Sequence, residues 1–140
     1  MKNRRDSMPD KVFLDANILF SAAWGSPGVL RLWDLSIKGV CTLLASRYVI
    51  EEARRNLSEP GHKAALEQYL KRVEIVSETD PEIPCPIELP PKDRPVLMAA
   101  IMAQVGFLIT GDLKHFGPYY GQIFKGVKIC RLRDYLQQRT

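Results

Sequence analysis

Four carboxylates in this chain stand where they could act together. Asp15 ends the apolar run Val12-Phe-Leu, and Asp112 ends Leu108-Ile-Thr-Gly. Asp93 opens the helical stretch 93–104, and Glu52 lies in the segment that follows a second apolar run. Asn17 and Thr110 are polar neighbours of two of these acids. Gathered carboxylates need a counter-charge, because two unit charges ~4 Å apart repel by ~4 kcal/mol at an effective dielectric of about 20. Without a cation, some of them would take up protons. Hard oxygen ligands with no His or Cys expected nearby suit Mg²⁺ or Mn²⁺, not zinc. Such a cation lowers the pKa of a bound water and neutralises charge developing on a phosphoryl group. The chain carries 20 Lys and Arg against 16 Asp and Glu, a net +4 with pI near 9.0, which favours a polyanionic partner. An acid-lined cation pocket in a basic chain points to phosphodiester hydrolysis through a metal-activated water.

Taken singly, each acid has a plainer role. An Asp after a strand is often a turn former or helix N-cap, which would serve for Asp15 and Asp93. Gly111-Asp112 is an ordinary turn dipeptide, and Glu51 and Glu52 near a helix start complement its dipole. The combination is the stronger signal.

The elements that must position these residues alternate along the chain. Residues 11–14, 40–44, 73–76, 107–110 and 127–130 are short apolar runs of the kind found in strands buried on both faces. Helices are expected over 17–24 and from Ser26-Pro27 to Lys38, the latter ended by Gly39. Ser46 can cap the next, which runs to about Leu57. After the break at Pro60-Gly61 a helix over 62–72 turns Ala65, Leu66, Tyr69 and Leu70 inward. Residues 77–91 hold five prolines and form an extended connection. A helix over 93–104 is closed by Gly106, residues 114–126 are an aromatic, glycine-rich loop, and a last helix covers 132–138. This is the pattern of a doubly wound α/β domain with a central parallel sheet, in which ligands bind beyond the carboxyl ends of the strands. Helical side chains lean toward the N-terminus, which carries Glu52 back to that edge.

A chain of 140 residues, 46% hydrophobic and 26% charged, suits one domain over 11–140 behind a flexible polar tail over 1–10. No apolar run approaches the ~20 residues of a membrane span, and no signal-peptide core follows Met1-Lys-Asn-Arg-Arg-Asp6, so the expectation is cytoplasmic with no membrane. Cys41, Cys85 and Cys130 lack CxxC spacing, which argues against a zinc site or a disulfide framework.

Four stretches carry a family resemblance. Val12-Phe-Leu-Asp-Ala-Asn-Ile-Leu-Phe-Ser-Ala22, Ser46-Arg-Tyr-Val-Ile-Glu-Glu-Ala-Arg-Arg-Asn-Leu57, Lys92-Asp-Arg-Pro-Val-Leu-Met-Ala-Ala100 and Leu108-Ile-Thr-Gly-Asp-Leu-Lys-His-Phe116 resemble, in order, the four motifs of the PIN-domain family. The resemblance covers roughly 11–135. It implies a flavodoxin-like, three-layer α/β/α sandwich and a metal-dependent endoribonuclease; many bacterial and archaeal members are the toxin halves of VapBC-type toxin–antitoxin pairs. By motif position, Asp15, Glu52, Asp93 and Asp112 are the implied catalytic residues and ligands of Mg²⁺ or Mn²⁺, with Asn17 and Thr110 supporting. The five-residue spacing to Leu57 selects Glu52, with Glu51 the open alternative. Arg94 stands where some relatives place another acid, and no further acid follows Asp112, which favours one tightly held metal over two. Arg94, Lys114 and His115 are candidates for gripping the RNA phosphate.

Other readings fit less well. A phosphatase that attacks through an aspartate wants a second carboxyl two residues on, where Asn17 stands. A receiver-type signalling domain matches poorly, and a dinucleotide-binding domain needs a glycine-rich turn that Asp15-Ala-Asn-Ile18 lacks. A PIN-like nucleic-acid or protein binding module without catalysis is the alternative from another class, although retention of all four acids argues against it. The resemblance implies RNA as substrate and an antitoxin protein as partner. The helix through Val96-Leu-Met-Ala-Ala-Ile-Met-Ala-Gln-Val105 is apolar almost all round, so it is either buried or partly at a homodimer interface. The aromatic run Phe116-Gly-Pro-Tyr-Tyr120 could stack on bases, dock a partner or be buried.

Overall fold

The computed structural model describes residues 8–139; the expected tail lies, for residues 1–7, outside them. The chain runs β1 (Asp10–Leu14), α1 (Ala16–Ala23), α2 (Pro27–Ile37), β2 (Cys41–Ser46), α3 (Arg47–Asn56), α4 (Pro60–Leu70), β3 (Val73–Val76), α5 (Arg94–Met102), β4 (Phe107–Ile109), α6 (Leu113–Phe116), β5 (Ile123–Phe124), β6 (Val127–Cys130) and α7 (Leu132–Arg139). The six strands form one sheet in the order β3-β2-β1-β4-β6-β5, flanked by helices. All neighbouring pairs are parallel except β5 with β6. Starting from β1 the chain builds outward through β2 to β3, then returns to place β4 on the other side of β1. The strand order therefore reverses between β1 and β4, and the crevice beyond their carboxyl ends is where such folds bind ligands.

The inner strands are apolar because helices cover both faces. Val12, Phe13, Leu14, Leu43, Ala45, Leu108 and Ile109 are fully buried, and Leu44 nearly so. The edges are short and partly polar: β3 exposes Ile75, and β5 has two residues. The apolar helix α5 is buried from Val96 to Ala100 and exposed at its two ends, Arg94 and Met102. Cys41 and Cys130 are buried free thiols, and Cys85 is a half-buried one. Among the described residues, no helix is long and apolar enough to cross a membrane.

Helix ends follow local chemistry, with three departures from the sequence reading. Gly39, at φ +80°, ends α2 as expected: its N–H reaches the Ser36 carbonyl while that of Val40 reaches Leu35. Helix α4 starts at Pro60 rather than after it, because proline suits the first helical position, where no N–H is needed. Helix α5 stops at Met102, and Gln104 rather than Gly106 takes the left-handed position after it, at φ 55°. Residues 114–126 are not a simple loop. They contain most of α6, a 3₁₀ turn over Gly117–Tyr119 and β5, which pairs back on β6 through a tight turn with Lys125 and Gly126 both at positive φ. Their aromatics are structural. Phe116 is fully buried, Tyr119 packs edge-on against Phe124, and Tyr120 donates its hydroxyl to the Thr110 carbonyl at 2.9 Å.

Candidate metal centre

Asp15 leaves β1 at the switch point and is 5% exposed. Its N–H reaches the Ile109 carbonyl at 3.1 Å, continuing the β1–β4 register by one residue. That register delivers Thr110 beside it, and the fully buried Thr110 hydroxyl donates to Asp15 Oδ2 at 2.7 Å. Asp15 Oδ1 accepts from the Ala16 N–H at 2.7 Å, so the carboxylate also caps α1. The Asn17 side chain closes the group: Nδ2 lies 3.3 Å from Asp15 Oδ2 and 3.4 Å from Thr110 Oγ1, while Oδ1 accepts from the Gly111 N–H at 2.8 Å. A Cβ on residue 111 would sit 3.3 Å from Asn17 Oδ1, so any larger residue there would press on this hydrogen-bonded oxygen. Thr110 Oγ1 in turn accepts from the Asp112 N–H at 3.1 Å, linking the two acids through one hydroxyl.

This hydroxyl gives a direct prediction. Thr110→Val keeps the shape and removes the donor, leaving a buried carboxylate short of a partner. Denaturant unfolding should show a loss of about 1–3 kcal/mol, with Thr110→Ser recovering most of it.

Asp93 occupies the N-cap position of α5 but makes no capping bond with its side chain. The residue is 8% exposed, and Tyr48 steadies the turn before it by donating its hydroxyl to the Lys92 carbonyl at 2.6 Å. Asp112 caps α6, where Oδ1 accepts from the His115 N–H at 3.1 Å. The His115 ring then lies between two carboxylates. Its Nδ1 is 2.9 Å from Asp112 Oδ2 and 3.0 Å from Asp93 Oδ2. One Nδ1 hydrogen cannot serve both; the contact with hydrogen-bond geometry is the one to Asp112, and the buried Asp93 Oδ2 has no hydrogen-bond partner.

The charges expose a shortage of positive counter-charge. Burial pushes Asp15 up to about 6 against the pull of Thr110 and Ala16, and the charges of Glu52 and Asp93 add to it. Asp93 is also raised, by burial first and then by Asp112, with His115 and Lys92 opposing. Burial raises the Tyr48 hydroxyl, and the charges of Glu52 and Asp93 raise it further. Thus Glu52, half-buried on α3, contributes its charge to the group. Glu51 is exposed and pairs instead with Arg54.

Among the described residues, the tight group is Asp93, Asp112 and His115, whose donor atoms all lie within 4.8 Å of one another. Asp15 and Glu52 stand outside it, coupled to it by charge. The expectation of an all-oxygen pocket with no histidine nearby is therefore corrected: α6 turns His115 into it. The i,i+3 spacing from Asp112, at the start of a helix, was the signal that could have shown this. Tyr48 and Tyr120 were also missed as positioning residues. Lys114 is exposed on α6. Arg94 is exposed and donates from Nε to the Leu89 carbonyl at 3.0 Å, on the wall of a cavity of about 390 Å³ with Tyr48, Pro81, Cys85 and Met98.

A divalent cation fits these residues. The orphaned Asp93 oxygen and the oxygen-rich group it shares with Asp112 and His115 call for positive charge there, and the raised Asp15 would feel that charge from nearby. The fold and site together define an α/β domain with an acidic centre at the switch point of its sheet. The chain belongs to the PIN domain family, whose profile matches residues 11–114. Among solved structures, it is similar in fold to a chain of VapBC2 from Rickettsia felis, crystallised bound to a DNA fragment from their promoter. The TM-score is 0.64 at 18% identity, covering 86% of this chain and 98% of that one. No curated protein sequence matches the chain significantly.

Proposed function

We propose that this PIN domain is a Mg²⁺- or Mn²⁺-dependent endoribonuclease, the toxin of a toxin–antitoxin pair. The observation that carries the first part is the buried Asp93 Oδ2, left without a donor between acids that are themselves short of positive charge. Asp15, Glu52, Asp93 and Asp112 would hold the cation. When bound, it supplies an activated water and a counter-charge for the phosphoryl oxygens of the substrate.

The chain's own residues do the positioning. Thr110 and the Ala16 N–H fix the Asp15 carboxylate, and Asn17 ties the turn after β1 to the turn after β4. Tyr48 sets the Lys92–Asp93 turn from α3. Lys114, and Arg94 if it leaves the Leu89 carbonyl, supply positive charge for the RNA phosphates, consistent with a chain of net +4. The toxin assignment is supported by the likeness in fold to a chain of VapBC2, and it brings an antitoxin protein as partner.

Attack by water at phosphorus with the P–O3′ bond breaking sends the 3′-oxygen away as a hydroxyl and keeps the phosphate on the 5′-oxygen. End-group analysis of cleaved RNA should show a 5′-phosphate and a 3′-hydroxyl. A 2′,3′-cyclic phosphate would mean that the ribose 2′-hydroxyl is the nucleophile and would overturn the mechanism.

A further inference from the structure

We propose that His115 is itself a metal ligand, its Nδ1 joining Asp93 and Asp112 in a mixed nitrogen–oxygen site that favours Mn²⁺ over Mg²⁺. This rests on the reading that these carboxylates hold a divalent cation, and it names the kind of cation they prefer.

The separations suit an ion pair and a donor set alike, and the hydrogen count favours the donor set. An imidazole serving only to neutralise the two acids has one Nδ1 hydrogen for two carboxylate oxygens, and Asp93 Oδ2 goes unserved. A cation touching Nδ1 and both oxygens would satisfy all three at once. Donors about 2.1 Å from a metal and at right angles to one another lie about 3.0 Å apart. The two Nδ1–oxygen separations here are 2.9 and 3.0 Å. The ring also arrives on a fixed mount. The His115 N–H is held by Asp112 Oδ1, and the next residue, Phe116, is fully buried. As a ligand the ring offers the Nδ1 lone pair and carries its hydrogen on Nε2. Imidazole nitrogen adds much to the affinity of a first-row transition metal and little to that of Mg²⁺, which prefers oxygen and its own waters.

Pulsed electron paramagnetic resonance of the Mn²⁺-loaded protein reads the bond directly. The wild type should show a directly coordinated ¹⁴N coupling that vanishes in His115→Ala, a variant that keeps the backbone N–H to Asp112. The chain's other histidine, His62, stacks on Trp24, so His62→Gln should retain the signal. Calorimetric titration should show Mn²⁺ affinity falling by about tenfold or more in His115→Ala, with a smaller fall for Mg²⁺. Bound Mn²⁺ without nitrogen coupling in the wild type, coupling that survives in His115→Ala, or equal losses for the two metals would overturn the proposal. No Mn²⁺ binding at all would overturn it together with the metal-centre reading. Nitrogen coupling without RNA cleavage would sink the nuclease reading alone.

Discussion

Asp15→Asn is expected to abolish RNA cleavage and, at the same time, to make the metal-free protein more stable at pH 8. Burial pushes the Asp15 carboxyl up to about 6, and the charges of Glu52 and Asp93 work in the same direction. Keeping it ionised at pH 8 without a cation therefore costs stability. An amide of the same shape removes that charge and can still accept the Ala16 N–H, but its NH₂ then faces the Asn17 NH₂ and the Thr110 hydroxyl, whose proton loses its acceptor. The lost charge-assisted hydrogen bonds offset part of the gain, leaving about 1–2 kcal/mol by denaturant unfolding in EDTA. Cleavage should fall by about 10³-fold or more, which is about 4 kcal/mol of transition-state stabilisation. A site that gives up stability for function behaves this way. A less stable variant in EDTA at pH 8 would show instead that Asp15 is a structural cap and little more.

The same acid makes metal binding and pH interdependent. In the unfolded chain Asp15 releases its proton near 3.8, whereas in the folded protein it holds it to about 6. Between those values the folded state carries more protons, so this contribution is complete below about pH 4 and is lost as pH rises through about 6. The loss is on the order of 3 kcal/mol by neutral pH. Asp93, raised by burial and by Asp112, acts in the same sense. A divalent cation pairs with the ionised carboxylates, so its stabilising effect should grow over the window in which the metal-free protein weakens. At a hundred times its Kd, a ligand adds about 2.7 kcal/mol. Thermal melts should show a larger rise in Tm from Mn²⁺ at pH 8 than at pH 5. An equal or greater rise at pH 5 would place the metal elsewhere.

What could be read from the sequence was governed by range. The inner strands were legible because continuous apolar runs mean burial on both faces, and their carboxyl ends placed Asp15, Thr110 and Asp112 together. Asp15 and Asp112 prove to be helix caps as well as members of the acidic group, so the plain role and the chemical one coexist. Beyond the strands the signal thins. Helix α6 has four residues, too few for a periodic pattern, and so the turn of His115 into the carboxylates was hidden. Strand β5 has two residues and a Lys-Gly turn in place of the usual Asn-Gly, so its hairpin left no alternation to detect. Glu51 and Glu52 part because successive residues of α3 face different ways, Glu51 outward beside Arg54 and Glu52 half-buried. Arg94 answers to the carbonyl of Leu89, five residues back in the proline-rich connection, which has no periodic pattern to place it.

The central claim is that the carboxylates at the switch point form a metal-dependent nuclease centre. Its most direct test is cleavage of a mixed single-stranded RNA pool by the wild type in Mg²⁺, Mn²⁺ and EDTA, beside Asp93→Asn. Cutting that requires the metal, stops in EDTA and is absent from Asp93→Asn is the predicted result. Cutting that persists in EDTA or in the variant would contradict it.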